Sequence, residues 1–220
     1  MVAQVITVAQ QKGGAGKTTM AAHLAVAWAQ YGVRVALVDI DPQGSLTHWH
    51  DIRVKHQKRE GLAPLGFVQC SGVRMTREVD KLKREYDLII IDSPPHTDSE
   101  ARTAIRHCDL VLVPMQPSPL DLWATQATLK IAKQEKRPVK MVLNRVNPQA
   151  KLSQKMQVEL KALSLSLFGN RVAYADALLA GKGVTEAAPR SAAAEEIQLL
   201  AEELLNHFGY EIREEELATA

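Results

Sequence analysis

Gln11-Lys12-Gly13-Gly14-Ala15-Gly16-Lys17-Thr18-Thr19 decides how the rest of the chain must fold. Before it stands the β-branched run Val5-Ile6-Thr7-Val8. After it Ala21, Leu24, Ala25 and Trp28 recur at helical spacing, and Gly32 can supply the left-handed stop of a helix running from about Thr18 to Tyr31. Strand, glycine-rich loop and helix in register make a phosphate-binding loop; the alternative is a chance glycine-rich turn. Gly13, Gly14, Ala15 and Gly16 let backbone N–H groups turn inward around phosphate oxygens, and the helix presents its positive end. Lys17 is placed to neutralise the β- and γ-phosphates, the Thr18 hydroxyl to ligate Mg²⁺, and Thr19 to complete the cradle.

Working outward, Val33 to Val38, Leu88-Ile89-Ile90-Ile91, Leu110-Val111-Leu112-Val113 and Val139 to Leu143 are short apolar runs separated by helical patterns. Continuous apolar strands alternating with helices predict an α/β fold, a mostly parallel central sheet with helices on both faces. Thr97-x-x-Glu100 and Ser118-x-x-Asp121 read as capping-box starts of two helices, with Pro119 suited to a first helical position. The stretches Gly61 to Gly66 and Asn147-Pro148-Gln149 read as loops, and a last helix is expected from about Ser191 to Phe208. One domain over residues 1–208 is expected, followed by a short acidic tail, 209–220, that frays.

Three further segments carry chemistry. Val38-Asp39-Ile40-Asp41-Pro42-Gln43-Gly44 sets two carboxylates just beyond a strand, where open α/β sheets bind ligands, and alternation aims both the same way. A carboxylate cannot stabilise the transferring phosphoryl group, so its useful work is to orient water or take its proton; the plain alternative is an Asp-Pro-Gln-Gly turn. Leu88-Ile89-Ile90-Ile91-Asp92 ends an apolar strand in an acid, the form of a Walker B carboxylate that holds Mg²⁺, or else of a buried acid paired with a structural lysine. Asn144-Arg145-Val146-Asn147 follows a strand and lacks the aspartate of the guanine-reading N-K-x-D pattern, which favours ATP over GTP. Asn144 is either a base reader or a turn cap.

The loop departs from the general G-x-x-x-x-G-K-[ST] pattern: Gln11 stands in the place of the first glycine, and Lys12 adds a second lysine. Lys12-Gly13-Gly14-Ala15-Gly16-Lys17-Thr18 resembles the deviant P-loop of the ParA/MinD superfamily of nucleotide hydrolases. Val38 to Gly44 resembles the ParA D-x-D-P-Q segment, and Pro94-Pro95 its second switch. Val113-Pro114-Met115-Gln116-Pro117-Ser118-Pro119-Leu120-Asp121 resembles the proline-rich segment of small ParF-type partition proteins. The resemblance covers Val5 to about Leu205, including the approach Gly181 to Glu186 to the last helix. It implies that Lys12 reaches across a dimer to the partner's nucleotide, that Asp41 positions the attacking water, that Asp39 supports the phosphate lysine and metal region, and that Asn144 reads adenine. It also implies an ATPase using ATP and Mg²⁺, a homodimer formed on ATP, non-specific DNA binding, a ParB-like or ParG-like adaptor that stimulates hydrolysis, and a cargo, a plasmid first of all. The loop begins within a dozen residues of Met1, leaving no room ahead of it for the helix-turn-helix of larger ParA relatives.

The composition agrees with a cytoplasmic, nucleoid-associated protein: 220 residues, 46% hydrophobic and 24% charged, with no apolar run of bilayer-spanning length and no secretory leader pattern. Cys70 and Cys108, beside apolar strands, read as core thiols and match no zinc or iron–sulfur ligand spacing. The net charge of +2 divides into +9 over residues 1–194 and −7 over 195–220. Lys130, Lys133, Lys136, Arg137, Lys140, Arg145, Lys151, Lys155 and Lys161 face only Glu135 and Glu159, a solvated helix face or a surface for a polyanion. By resemblance Arg171, Lys182 and Arg190 are the candidate DNA contacts. Two other readings share the nucleotide motifs. A MinD-like membrane-surface ATPase needs a basic amphipathic carboxy terminus, but Arg213-Glu214-Glu215-Glu216-Leu217 is acidic and no membrane is expected. A metabolic ligase of the same fold would not require Lys12.

Overall fold

The computed structural model describes residues 2–95, 98–160 and 164–210. Its strands are β1 (Gln4–Val8), β2 (Val35–Asp39), β3 (Gly66–Gln69), β4 (Leu88–Asp92), β5 (Leu110–Met115), β6 (Val139–Val146) and β7 (Ser164–Gly169). They form one sheet in the order β3-β2-β4-β1-β5-β6-β7, and every neighbouring pair is parallel. Parallel strands need crossovers, which are supplied by α1 (Lys17–Gln30), α2 (Ser45–Glu60), α3 (Gly72–Leu82), α4 (Asp98–Arg106), α5 (Pro119–Gln134) and α6 (Lys151–Leu160). Helices α7 (Val172–Leu179), α8 (Val184–Ala187) and α9 (Ala192–His207) come after the last strand.

Alternation along each strand divides the core in two. Ile6, Val8, Leu37, Leu88, Ile90 and Leu112 pack with Leu24 and Trp28 of α1 and Ile197, Leu200 and Leu204 of α9. Val5, Val38, Ile89, Ile91, Val111 and Val113 pack on the other face with Met75 of α3, Ile105 of α4, Ala132 of α5 and Met156 of α6. Both faces being covered, the inner strands carry apolar residues at nearly every position, which is why they are legible as continuous runs.

The expected α/β architecture is therefore the observed one, with the sheet wholly parallel. The first and last helices fall within a residue or so of expectation, and Ser118 caps α5 by accepting the Asp121 N–H, with Pro119 opening the helix. The second strand begins at Val35 and includes Asp39, and β6 runs on to Val146. Gly66, expected in a loop, opens edge strand β3. Cys108 is buried, but Cys70 is only half-buried at the end of that edge and is not a core thiol. Thr97, Lys161 and residues 211–220 lie outside the described residues.

His23, on the inner side of α1, accepts the backbone N–H of Val184 on Nδ1 at 3.0 Å and so ties α1 to α8. Burial pulls its pKa from 6.5 down to about 4. Below pH 6.5 the unfolded chain takes up a proton that the native chain refuses until about pH 4. This contribution to stability is thus whole above pH 6.5 and falls by about 3 kcal/mol as the pH drops through that window. His23→Asn keeps an acceptor without a titrating ring, so urea unfolding from pH 7 to pH 4 should show a shallower loss in the variant. Identical slopes would contradict the assignment.

Candidate nucleotide site

The loop after β1 opens at the centre of the sheet, because β1 lies between β4 and β5: the connection from β1 to β2 runs to one side of it, and the chain crosses to the other side between β4 and β5. Such a switch point leaves a crevice beyond the carboxyl ends of the strands. Register then lines up the acids: Asp92 of β4 stands opposite Val8 of β1 on one side and Asp39 of β2 on the other.

Glycine is needed at two loop positions in particular. Gly14 has φ 73° and Gly16, the residue before α1, has φ 99°, both left-handed. No atom lies within 4 Å of where a Cβ would stand on Gly13 or Gly14, so the loop has open space on that side for phosphate oxygens. Asn144 closes it from behind: its Nδ2 donates to the Ala15 carbonyl at 2.9 Å, and its Oδ1 accepts the Arg145 N–H. Arg145 itself is held at φ 54°, a conformation that costs a non-glycine residue about 1 kcal/mol or more.

Lys17 is 7% exposed. Burial lowers its pKa, and the carboxylates of Asp92 and Asp41 draw it back up without restoring it. Thr18 Oγ1 donates to Asp92 Oδ2 at 2.6 Å, while Asp92 Oδ1 is buried with no hydrogen-bond partner among the described residues. Desolvation raises the Asp92 carboxyl to about 7, against the lowering effect of the Thr18 bond. A buried carboxylate oxygen without a donor, beside a threonine hydroxyl, fits a hard cation that would supply the missing charge. Ser93 Oγ donates to the Val8 carbonyl and fixes the chain leaving β4.

The two acids at the end of β2 and just after it do not share one environment. Asp39 is fully buried and spends both oxygens within the chain: Oδ1 on the Asp41 N–H at 3.0 Å, and Oδ2 on the Thr47 N–H and Oγ1 at 2.9 and 2.7 Å. Asp41 forms the Asp-Pro-Gln-Gly turn, its Oδ1 accepting the Gln43 N–H, and also lines the phosphate crevice. That crevice is a cavity of about 600 Å³ bounded by the glycine loop, Lys17, Thr18 and Thr19, by Trp49 and Ile52 of α2, and by Leu178 of α7. A second cavity of about 300 Å³ adjoins it between Asn144, Asn170 and Tyr174, with Gly16 and Thr19 at its floor.

Lys12 is turned away from this cradle, its Nζ 2.5 Å from Asp121 Oδ2 on α5. Arg171 is ion-paired to Glu196 at 2.6 Å and Lys182 to Glu60 at 2.7 Å, while Arg190 is exposed and forms no ion pair among the described residues. Sequence reasoning missed three roles. Asp121 read only as a helix-capping acid, Asn144 did not announce its grip on Ala15, and Arg53 carried no signal in the sequence at all. The Arg53 guanidinium is in fact buried, bonded to the carbonyls of Ala63 and Gly181 and to both carboxylate oxygens of Glu186. It ties α2, the helix after the Asp41 turn, to the loop between α7 and α8.

A glycine loop, a buried lysine and a threonine–aspartate pair at the switch point of a parallel sheet define a phosphate-binding-loop nucleotide hydrolase. A family model described as the CobQ/CobB/MinD/ParA nucleotide binding domain matches residues 6–184. The chain belongs to this family and is an ATPase of the ParA/MinD class. It is 30% identical over 211 residues, covering 91% of this chain and 95% of the relative, to a maintenance of carboxysome distribution protein A from Halothiobacillus neapolitanus. It is 28% identical over 235 residues to the chromosome-partitioning ATPase Soj of Thermus thermophilus, covering 91% of this chain and 94% of that one. Among solved structures, the septum site-determining protein MinD of Pyrococcus horikoshii, complexed with Mg-ADP, shares the fold. Its TM-score is 0.78 at 20% identity, over 94% of this chain and 98% of that one.

Gly16→Ala tests the cradle. A methyl there would sit 2.4 Å from Asn144 Nδ2 on a backbone at φ 99°. Strain of about 1–3 kcal/mol converts to roughly a ten- to hundredfold loss of ATP affinity by titration calorimetry, with the circular dichroism spectrum unchanged. Parental affinity would show that this loop does not bind the phosphates.

Proposed function

We propose that this chain is a ParA-type ATPase in which ATP joins two copies, the dimer binds DNA without sequence preference, and an adaptor of ParB-like or ParG-like type stimulates hydrolysis and release, so that a cargo is moved or spaced over the nucleoid. The observation that carries this reading is the division of labour between two lysines. Lys17 is buried in its own cradle, whereas Lys12, the extra lysine of the loop, is held outside it against Asp121, which supports a role on another molecule's phosphates.

Within the site Gly13 to Thr19 bind the phosphates by their backbone N–H groups, and Lys17 meets the β- and γ-phosphate charge. Thr18 and Asp92 would hold Mg²⁺, which when bound neutralises charge on the phosphate oxygens as the γ-phosphoryl group leaves. Asp41 orients the attacking water from the rim of the crevice. Asp39, saturated by Thr47 and the Asp41 N–H, holds that turn in place and so acts through Asp41. The smaller cavity between Asn144 and Tyr174 suits the base, with Asn144 fixing the loop from one side and facing adenine from the other.

The excess of cations over residues 1–194 supports DNA as the polyanion, since phosphate contacts need charge and no base-reading module. Arg190 is the available contact. Arg171 and Lys182 must first exchange Glu196 and Glu60 for phosphate. No helix among the described residues is long and apolar enough to cross a membrane. A plasmid is the cargo suggested by the ParF-like proline segment, and the carboxysome-distribution relative favours a second reading, a protein body spaced by the same cycle.

Asp41→Ala should bind ATP and form the dimer yet hydrolyse at least about tenfold more slowly, and should accumulate on DNA. Lys12→Gln should bind ATP but form neither dimer nor DNA complex. Anisotropy with ATP on two unrelated duplexes over a salt series should show equal affinities, a log–log slope of about −0.9 per phosphate contact, and a larger loss for Arg190→Glu than for Arg171→Glu or Lys182→Glu. Tight binding to one duplex alone, or an Asp41→Ala enzyme as fast as its parent, would contradict the proposal.

A further inference from the structure

The ammonium proposed to act on a partner's nucleotide is already engaged within its own chain. Lys12 Nζ lies 2.5 Å from Asp121 Oδ2; the lysine side chain is 37% exposed and the aspartate 1%. The carboxylate also accepts Ser118 Oγ at 2.5 Å and the Gln116 N–H at 3.3 Å. Burial pushes the Asp121 carboxyl up, but the bonds from Lys12 and Ser118 outweigh it, so the group is an anion at neutral pH. Lys12 is the one cation paired with it among the described residues.

The receiving site is rigid. Gln10 Nε2 donates to Thr125 Oγ1 at 2.8 Å, and Thr125 in turn donates to the Asp121 carbonyl at 2.8 Å. Gln10 Oε1 accepts the Lys12 N–H at 3.5 Å, so the entrance of the phosphate loop and the first turns of α5 form one bonded unit. Leu120 and Trp123, 65% and 66% exposed, flank Asp121 on α5.

We infer that Asp121 is a positioning residue that parks Lys12 in cis, and that two copies join only by trading this ion pair for the partner's phosphates, so that Asp121 sets the ATP concentration at which the dimer forms. The inference rests on the trans reading of Lys12. Withdrawing Lys12 leaves a buried carboxylate with two neutral donors, and removing one partner of a buried pair is the costly way to break it. A γ-phosphate on the facing molecule supplies the charge that makes the exchange favourable. Each copy gives up one pair, so the dimer equilibrium moves by the square of the per-pair factor.

Asp121→Asn keeps an oxygen for the Gln116 N–H and removes the charge. In the nucleotide-free full chain, acetylation of Lys12 read by mass spectrometry should run several-fold faster in Asp121→Asn than in the parent. With a non-hydrolysable ATP analogue, light scattering should place half-maximal dimerisation at about threefold lower nucleotide, because the dimer equilibrium gains about ninefold, threefold per half-exposed ion pair, and two nucleotides enter each dimer. Ser118→Ala, which makes the carboxylate depend more on Lys12, should move both readouts the opposite way, whereas general destabilisation would move the two variants alike. Equal acetylation rates, or a Lys12-dependent dimer with the same nucleotide midpoint in Asp121→Asn, would overturn the inference while leaving the trans reading standing. A Lys12→Gln chain that dimerises normally would remove the trans reading itself.

Discussion

The structure turns on the burial of charge at the carboxyl end of an apolar parallel sheet. Asp39, Asp92 and Lys17 are withdrawn from water in one place, and each such withdrawal costs several kcal/mol unless it is compensated. Asp39 is compensated within the chain by Thr47 and the Asp41 N–H. Asp92 and Lys17 are not: one Asp92 oxygen has no donor, and burial depresses Lys17 while raising Asp92. Folding leaves a deficit that a polyphosphate and a divalent cation are shaped to fill.

Other features depend on where that deficit sits. Because β1 lies between β4 and β5, its loop opens at the switch point, and the acids of β2 and β4 come into register beside it. The turn after Asp39 leads into α2, and Arg53 of α2 is bonded to Glu186, so the segment lining the crevice is joined to the segment carrying Lys182 and Arg190. The loop entrance is joined on the other side, through Gln10, Lys12 and Asp121, to α5. The loop entrance and the Asp41 turn are thus each hydrogen-bonded, through one helix, to the surface.

The inner strands and the phosphate loop are legible in the sequence because their signals are local: β-branched runs of buried residues, and glycines whose left-handed backbone only that residue adopts cheaply. Edge strands are not. Gly66–Gln69 has one well-buried residue, Gly66, expected in a loop, and nothing local marks the segment as a strand until β2 is known to lie beside it. Asp92 is legible as a charge ending an apolar strand. The contrasting fates of Asp39 and Asp41 are not, since alternation assumes that the strand continues, whereas it ends at Asp39 and the Asp41 turn re-aims the next residues. Partnerships distant in sequence, Lys12 with Asp121, Arg53 with Glu186 and Asn144 with Ala15, leave no trace in local pattern. The charge of Arg171 and Lys182 is visible in the sequence, and its neutralisation by Glu196 and Glu60 is not.

That the fold is left short of a polyphosphate and a cation at one place is tested most directly by thermal unfolding in three conditions: Mg²⁺ alone, a non-hydrolysable ATP analogue with Mg²⁺, and the analogue with EDTA. At about one hundred times Kd the complete ligand adds roughly 2.7 kcal/mol, a rise in Tm of about 5–10 °C for a chain of this size. The expected result is that rise with the analogue and Mg²⁺ together, most of it lost in EDTA and nearly none with Mg²⁺ alone. An unchanged Tm, or a rise indifferent to the metal, would contradict the claim.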